Sequence, residues 1–178
     1  MKISYLLLFA FAVGLTACTR PQEKLAAQIK EQEESLFAGN QSQILDTSKA
    51  NAIVNLYLAY ADQYPDDTLS ADMLFKAGDI TNGLGRIEDA ITFFGRVQRY
   101  PNYQRTPDAL FLQGFITENT VGNPDAAKSY YDKFLQQYPN HKLAEDVKMS
   151  IKNLGKSPEE LIQMFEANNV KLDSLAVK

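Results

Sequence analysis

The sequence predicts an all-α fold, a stack of about four helical hairpins, and three observations carry that expectation. Tyr-Pro occurs at Tyr64-Pro65, Tyr100-Pro101 and Tyr138-Pro139, at intervals of 36 and 38 residues, and self-similarity at such a period marks a repeat architecture. A shift of 37 residues sets Gly85-Arg86-Ile87-Glu88-Asp89-Ala90 on Gly122-Asn123-Pro124-Asp125-Ala126-Ala127, and in that register Leu74 falls on Phe111, Phe94 on Tyr131 and Val97 on Phe134. Apolar residues between these landmarks recur at helical spacing, as in Ala127, Tyr130, Tyr131, Phe134, Leu135 and Tyr138.

Taken in order, the chain opens with Met1-Lys2, an apolar run from Ile3 to Val13, Gly14 and then Leu15-Thr16-Ala17-Cys18. A basic start, an apolar core of about eleven residues and small residues before the break match a secretory signal, which is expected to be removed. The stretch Ile3 to Cys18 is 16 residues, short of the roughly 20 that cross a bilayer core. The first mature helix is expected around Leu25 to Phe37, followed by a longer loop, Ala38 to Thr47. Its partner carries Ile53, Leu56, Tyr57, Tyr60 and Tyr64 at i, i+3, i+4 spacing and stops at Pro65.

Each following unit reads as two helices. The first is typified by Met73-Leu74-Phe75-Lys76-Ala77 and, one unit on, by Ala109-Leu110-Phe111-Leu112, entered through Thr106 as N-cap with Pro107 at the first helical position. Gly85 and Gly122 end these helices where positive φ is wanted. Downstream, Leu143 to Leu154 reads as another first-type helix closed by Gly155. Ser157-Pro158-Glu159-Glu160 has the form of a capping box that starts a last helix through Phe165. The repeat domain is assigned to residues 22–168, with 18–21 as linker and 169–178 as tail.

Composition narrows the function. Removal of residues 1–17 takes away Lys2 alone among the charged residues, leaving 17 Lys+Arg against 22 Asp+Glu. A mildly acidic chain is a poor polyanion binder, so no nucleic-acid partner is expected. Cys18 is the only cysteine, which rules out an internal disulfide and leaves stability to packing. His141 is the only histidine. It follows Tyr138-Pro139-Asn140 and reads as a surface turn residue, and with no second imidazole no metal site is expected. No Gly-x-Ser-x-Gly or phosphate-loop motif is present. The carboxylate pairs Asp66-Asp67 and Glu159-Glu160 fall in a post-proline loop and a first helical turn, and Asp46-Thr47-Ser48-Lys49 reads as a helix entrance. No catalytic residue, cofactor or small-molecule substrate is expected. Asp67-Thr68-Leu69 and Asp173-Ser174-Leu175 also match a short Asp-Ser/Thr-apolar pattern for bacterial O-glycosylation.

Two resemblances sharpen this reading. Leu15-Thr16-Ala17-Cys18 resembles the bacterial lipobox, which implies lipidation of Cys18 and a mature chain that begins there. Two or more acyl chains at ~0.8 kcal/mol per buried methylene hold a protein stably at a membrane. The repeating unit resembles the tetratricopeptide repeat, best over Asp108 to Pro139, where Gly122 stands at the turn, Ala127 at the close helix crossing, Tyr131 on the inner face and Pro139 at the stop. Thr81 and Glu118 depart from the family where an aromatic is usual, Gly114-Phe115 inverts the usual large-then-small order, and the 36 to 38 residue spacing implies longer inter-repeat loops.

The resemblance implies a right-handed solenoid whose concave face is lined by Asp72, Phe75, Asp79 and Asn82 in one unit and by Ala109, Leu112, Ile116 and Asn119 in the next. Asn82 and Asn119 would share a repeat position, and Phe75, Leu112 and Ile116 would form an apolar patch if neighbouring helices left them uncovered. Lipobox and Tyr-Pro-terminated repeats together are similar to the repeat lipoprotein of the β-barrel assembly machinery and to the periplasmic repeat protein of the Tol-Pal system. The expectation is a membrane-tethered adaptor of the bacterial envelope that binds a protein or peptide. The alternative is an accessory subunit or enzyme acting on envelope polymers. Thr19-Arg20 after Cys18, with no aspartate there, favours the outer membrane.

Overall fold

The computed structural model describes residues 20–37, 46–164 and 166. The described helices are α1 (Pro21–Phe37), α2 (Thr47–Gln63), α3 (Thr68–Gly83), α4 (Ile87–Val97), α5 (Thr106–Ile116), α6 (Pro124–Gln137), α7 (Ala144–Asn153) and α8 (158–164). No strand occurs among the described residues. From α1 to α7 each helix packs on the next, which makes a helical solenoid of hairpins. The expected signal segment, Cys18, residues 38–45 of the expected loop and the expected tail lie outside the described residues.

Three like corners join the hairpins. Proline disfavours helical geometry in the residue before it, and Tyr64 (φ −128°) and Tyr138 (φ −131°) leave the helix accordingly. Each tyrosine carbonyl then accepts from the N–H three residues on: from Asp67 at 3.0 Å, Tyr103 at 3.0 Å and His141 at 3.1 Å. In the first two corners a buried hydroxyl six residues on donates as well, Ser70 Oγ to Tyr64 and Thr106 Oγ1 to Tyr100, both at 2.6 Å. Thr106 is therefore not the N-cap of α5. It lies inside the helix with Pro107, and its hydroxyl points back to the corner instead of forward to the helical N–H groups.

Other caps follow the sequence. Asp46 accepts from the N–H groups of Ser48 and Lys49. Ser157 and Glu160 exchange hydrogen bonds as a capping box does. Gly85, Gly122 and Gly155 hold φ of 74°, 69° and 71° after their helices.

The core is three clusters in series. Ile29, Ile53, Val54, Tyr57 and Tyr60 fill the first, Leu74, Phe75, Phe94, Val97 and Ile116 the second, and Leu110, Ala127, Tyr131, Phe134 and Val147 the third. Full burial of one such large side chain contributes about 1.5–3 kcal/mol. The helices of a hairpin approach most closely at glycine: a Cβ on Gly78 would stand 2.7 Å from Phe94, and one on Gly114 would stand 2.6 Å from Tyr131.

These contacts correct the repeat register. Gly78 matches Gly114, and Thr81, donating to the Ala77 carbonyl, matches Thr117, donating to the Gln113 carbonyl, each pair 36 residues apart. The shift of 37 holds only from Gly85 onward. The extra residue is absorbed by a π-helical turn at Thr117–Val121, where the Asn123 N–H donates to the Thr117 carbonyl. A second is absorbed at the end of the hairpin, because α4 tightens into i−3 bonds at Gln98, Arg99 and Tyr100 whereas Tyr138 keeps its i−4 bond to Phe134. The three corners close with the same hydrogen bond, though α3 begins four residues after its tyrosine and α5 and α7 begin six after theirs. Leu74 thus pairs with Leu110 rather than Phe111, and Thr81 with Thr117 rather than Glu118.

Gly114→Ala should overpack the α5–α6 crossing and cost about 1–3 kcal/mol. Gly83→Ala, where an added Cβ meets nothing within 4 Å, should stabilise by about 0.5–1 kcal/mol. Thermal melts of the two variants check the pair.

Candidate functional site

The first-type helices α3, α5 and α7 present residues at i, i+3 and i+7, which share one helical face. Matching the corners places Asp72, Phe75 and Asp79 of α3 with Asp108, Phe111 and Phe115 of α5 and with Asp146, Met149 and Asn153 of α7. The sequence signal for this register was the pair Thr81 and Thr117, each four residues after the residue whose carbonyl it caps.

Several expected groove residues are placed differently. Phe75 is 0% exposed and Ile116 2%, so the expected apolar patch of Phe75, Leu112 and Ile116 is not presented. Phe75 is closed off by the edge-on ring of Phe94 at 5.2 Å, by Tyr103 at 6.4 Å and by the Arg105 guanidinium 3.5 Å above its ring. Ala109 is buried and Leu112 half-buried against the same cluster. Asn82 and Asn119 are exposed but not equivalent: Asn119 belongs to the π-turn and donates to the Phe115 carbonyl at 2.9 Å, whereas the partner position of Asn82 is Glu118.

The face divides into two chemical halves. Over α1 to α3 it is a polar network: Tyr57 OH donates to Glu33 at 2.6 Å, Lys76 bridges Glu33 and Asp72 at 2.9 Å each, and Tyr103 OH donates to Asp72 at 2.9 Å. Arg105 faces the half-exposed Asp79 at 3.9 Å. Partial desolvation raises the Asp79 carboxyl, and Arg105 acts against it. For Lys76 burial is the largest effect and lowers its affinity for a proton, but the bonds to Glu33 and Asp72 together overcome it and the net shift is upward. Burial, reinforced by Glu33, raises the Tyr57 phenol far above its ordinary range, and burial with Asp72 does the same to Tyr103.

Over α5 to α7 the face turns apolar. Phe115 is 46% exposed and Met149 50%. Phe111 packs against Phe115, its ring 5.9 Å from Phe115 and 6.2 Å from Tyr131. The Tyr131 phenol, raised by burial and then by Glu118, donates to Glu118 at 2.6 Å. Phe115 and Phe111 were missed from sequence because the register slipped by one residue across the π-turn, and Met149 because no face position was assigned on the helix after Leu143.

His141 lies in the turn between α6 and α7 as expected, but is less exposed than a surface turn residue. It is half-buried, its ring edge-on to Phe134 at 5.6 Å, and its Nδ1 accepts from the Leu143 N–H at 3.3 Å. Asp67 caps α3 by accepting from Leu69 and also receives Tyr60 OH and the Gln22 amide. Among the described residues no group of three His, Cys, Asp or Glu is placed to hold a metal ion, and no helix is long and apolar enough to cross a membrane.

Alkaline pH tests the buried phenols. A folded-state pKa raised above the unfolded value of roughly 10 means that stability is fully present below that pH and is lost as pH rises past it. Lys76 acts in the same direction. The denaturant midpoint should fall between pH 9 and pH 11, and Tyr57→Phe should flatten that fall while costing about 1–2 kcal/mol at pH 7 through the lost bond to Glu33.

Residues 108–141 match the family model of the tetratricopeptide repeat. No curated protein matches the chain. The described helices form a tetratricopeptide-like solenoid, of which the α5–α6 hairpin is the part that the family model recognises.

Proposed function

We propose that the chain is a membrane-tethered adaptor of the bacterial cell envelope that takes a protein or peptide partner on the inner face of its helical solenoid. Tetratricopeptide repeats generally mediate protein–protein interaction, and their scaffolds are typically non-catalytic. The observation that carries the reading is the half-exposed Phe115 ring, which stands over a packed floor of Phe111 and Tyr131, with Met149 half-exposed at a face position of the next first-type helix. Large apolar side chains grouped on a rigid helical surface are a usual mark of an interaction site. The tether rests on the leader and on Leu15-Thr16-Ala17-Cys18, with outer-membrane placement supported by Thr19-Arg20. The likeness to envelope repeat lipoproteins supports the cell-envelope setting.

Interface energy concentrates in a few buried anchors, and loss of one often costs about 2 kcal/mol or more, roughly thirtyfold in affinity. Phe115→Asp and Met149→Asp should each break partner capture from detergent-solubilised envelope without lowering the melting temperature. Lys133→Ala and Gln137→Ala on α6 should leave capture unchanged. Phe75→Asp should unfold the second cluster instead. Recovery of the parent's crosslinked partners by both aspartate variants would move the binding surface elsewhere.

Cys18→Ser tests the tether separately. It should abolish incorporation of labelled palmitate and move the protein from the membrane to the soluble fraction. Retention in membranes after a high-salt wash would overturn the lipoprotein reading.

A further inference from the structure

At each corner the third residue after tyrosine turns back toward the first-type helix before it. In the second corner that residue is Tyr103, whose hydroxyl donates to Asp72 Oδ1 at 2.9 Å while Lys76 Nζ holds Oδ2 at 2.9 Å. Both oxygens of Asp72 are satisfied from within the chain. One hairpin later Asp108 stands at the same position and both partners have changed. Leu112 replaces Lys76 and supplies no charge. His141 replaces Tyr103 and its Nε2 lies 4.0 Å from Asp108 Oδ1, outside hydrogen-bond reach.

Asp108 Oδ1 is in consequence buried with no hydrogen-bond partner, the one such side-chain atom among the described residues. The aspartate lines an open cavity of about 520 Å³ with Gln104, Arg105, Asn140, His141 and Lys142. Arg105 does not neutralise it, because its guanidinium lies over Phe75 and faces Asp79. Lys142 is exposed. The Asp108 side chain remains 24% exposed, so the carboxylate is open to a donor from outside, while Oδ1 has none within the chain, a costly arrangement.

We propose that Asp108 receives a lysine or arginine side chain of the protein partner, which takes at this hairpin the place that Lys76 takes at Asp72. This rests on the inner-face reading above and adds the chemistry of the partner. The neighbouring groups favour a long basic side chain over a hydroxyl. Leu112 and Phe111, one turn along the same face, offer an apolar wall for a methylene stem, the arrangement in which such side chains bury carbon and keep the charge on a polar group. Spacing follows as well. Asp108 and Phe115 are seven positions apart on α5, about 10 Å at 1.5 Å per residue. An extended peptide advances about 3.3 Å per residue, so the partner's basic residue and its apolar anchor stand about three positions apart.

The test is selection of a random twelve-residue peptide library on the purified full-length protein, followed by calorimetry on synthetic peptides from the enriched pool. The expected pool carries Lys or Arg three positions from an apolar residue. Asp108→Asn should weaken such a peptide at least tenfold and leave its norleucine analogue unaffected. Phe115→Asp should weaken both. A pool without basic residues, or equal affinity of the parent and Asp108→Asn for the basic peptide, overturns the proposal while Phe115-dependent binding keeps the inner-face reading. Failure to enrich any Phe115-dependent peptide overturns both. Melting supplies a readout that needs no ligand: Asp108→Asn should melt at or above the parent and Asp72→Asn below it. If Asp108→Asn melts as low as Asp72→Asn, the carboxylate already has an internal partner and the proposal fails.

Discussion

The carbonyl of the tyrosine before each corner proline governs how one hairpin is set on the next. Proline takes away the helical continuation, and the stranded carbonyl is satisfied by the N–H three residues on and, in two corners, by a buried hydroxyl six residues on. Because a buried acceptor without a donor costs about 1–3 kcal/mol, the chain is held to one path from helix to helix. That fixed path keeps the inner-face residues of α3, α5 and α7 in line, although the two complete repeats differ in length. The length differences are taken up where the corner does not feel them, in the π-turn of one hairpin and in the tightened end of α4.

Electrostatics then differentiates faces that share a backbone. At α3 the aspartate, the lysine one turn on and the corner tyrosine satisfy one another, and Arg105 roofs Phe75. The result is a closed polar surface whose charges are already paired. At α5 leucine stands for the lysine, histidine for the tyrosine and phenylalanine for Asp79, so the same geometry exposes an apolar ring and leaves a carboxylate oxygen without a donor. Paired charge and exposed apolar surface are thus divided between adjacent hairpins. π-turns recur at functional sites, and this one borders the exposed Phe115.

Much of the fold was legible because it rests on local rules. Proline after tyrosine, glycine at positive φ and the Ser157–Glu160 box each act within a few residues, and the structure places Gly85, Gly122 and Gly155 as their neighbours require. The groove was less legible. Aligning Gly85 on Gly122 was correct for the second helices, but carrying the same shift backward across the π-turn moved every α5 position by one residue, which rotates a helix by about 100°. Ile116 was thereby read as a surface residue in place of Phe115, and Asn119 was matched to Asn82.

The sequence by itself determined most helix ends, the pairing of helices as hairpins, and which residues are apolar enough to form a core, since these follow from backbone sterics and 3.6-residue periodicity. The tertiary structure alone decided which apolar residues stay outside. Phe75 and Phe111 are the same residue at the same repeat position, yet Arg105 and Tyr103, arriving from the next corner, bury the first completely, while the second stays half-buried. Exposure depends on what a neighbouring hairpin brings over a side chain, and periodicity within one helix carries no information about that.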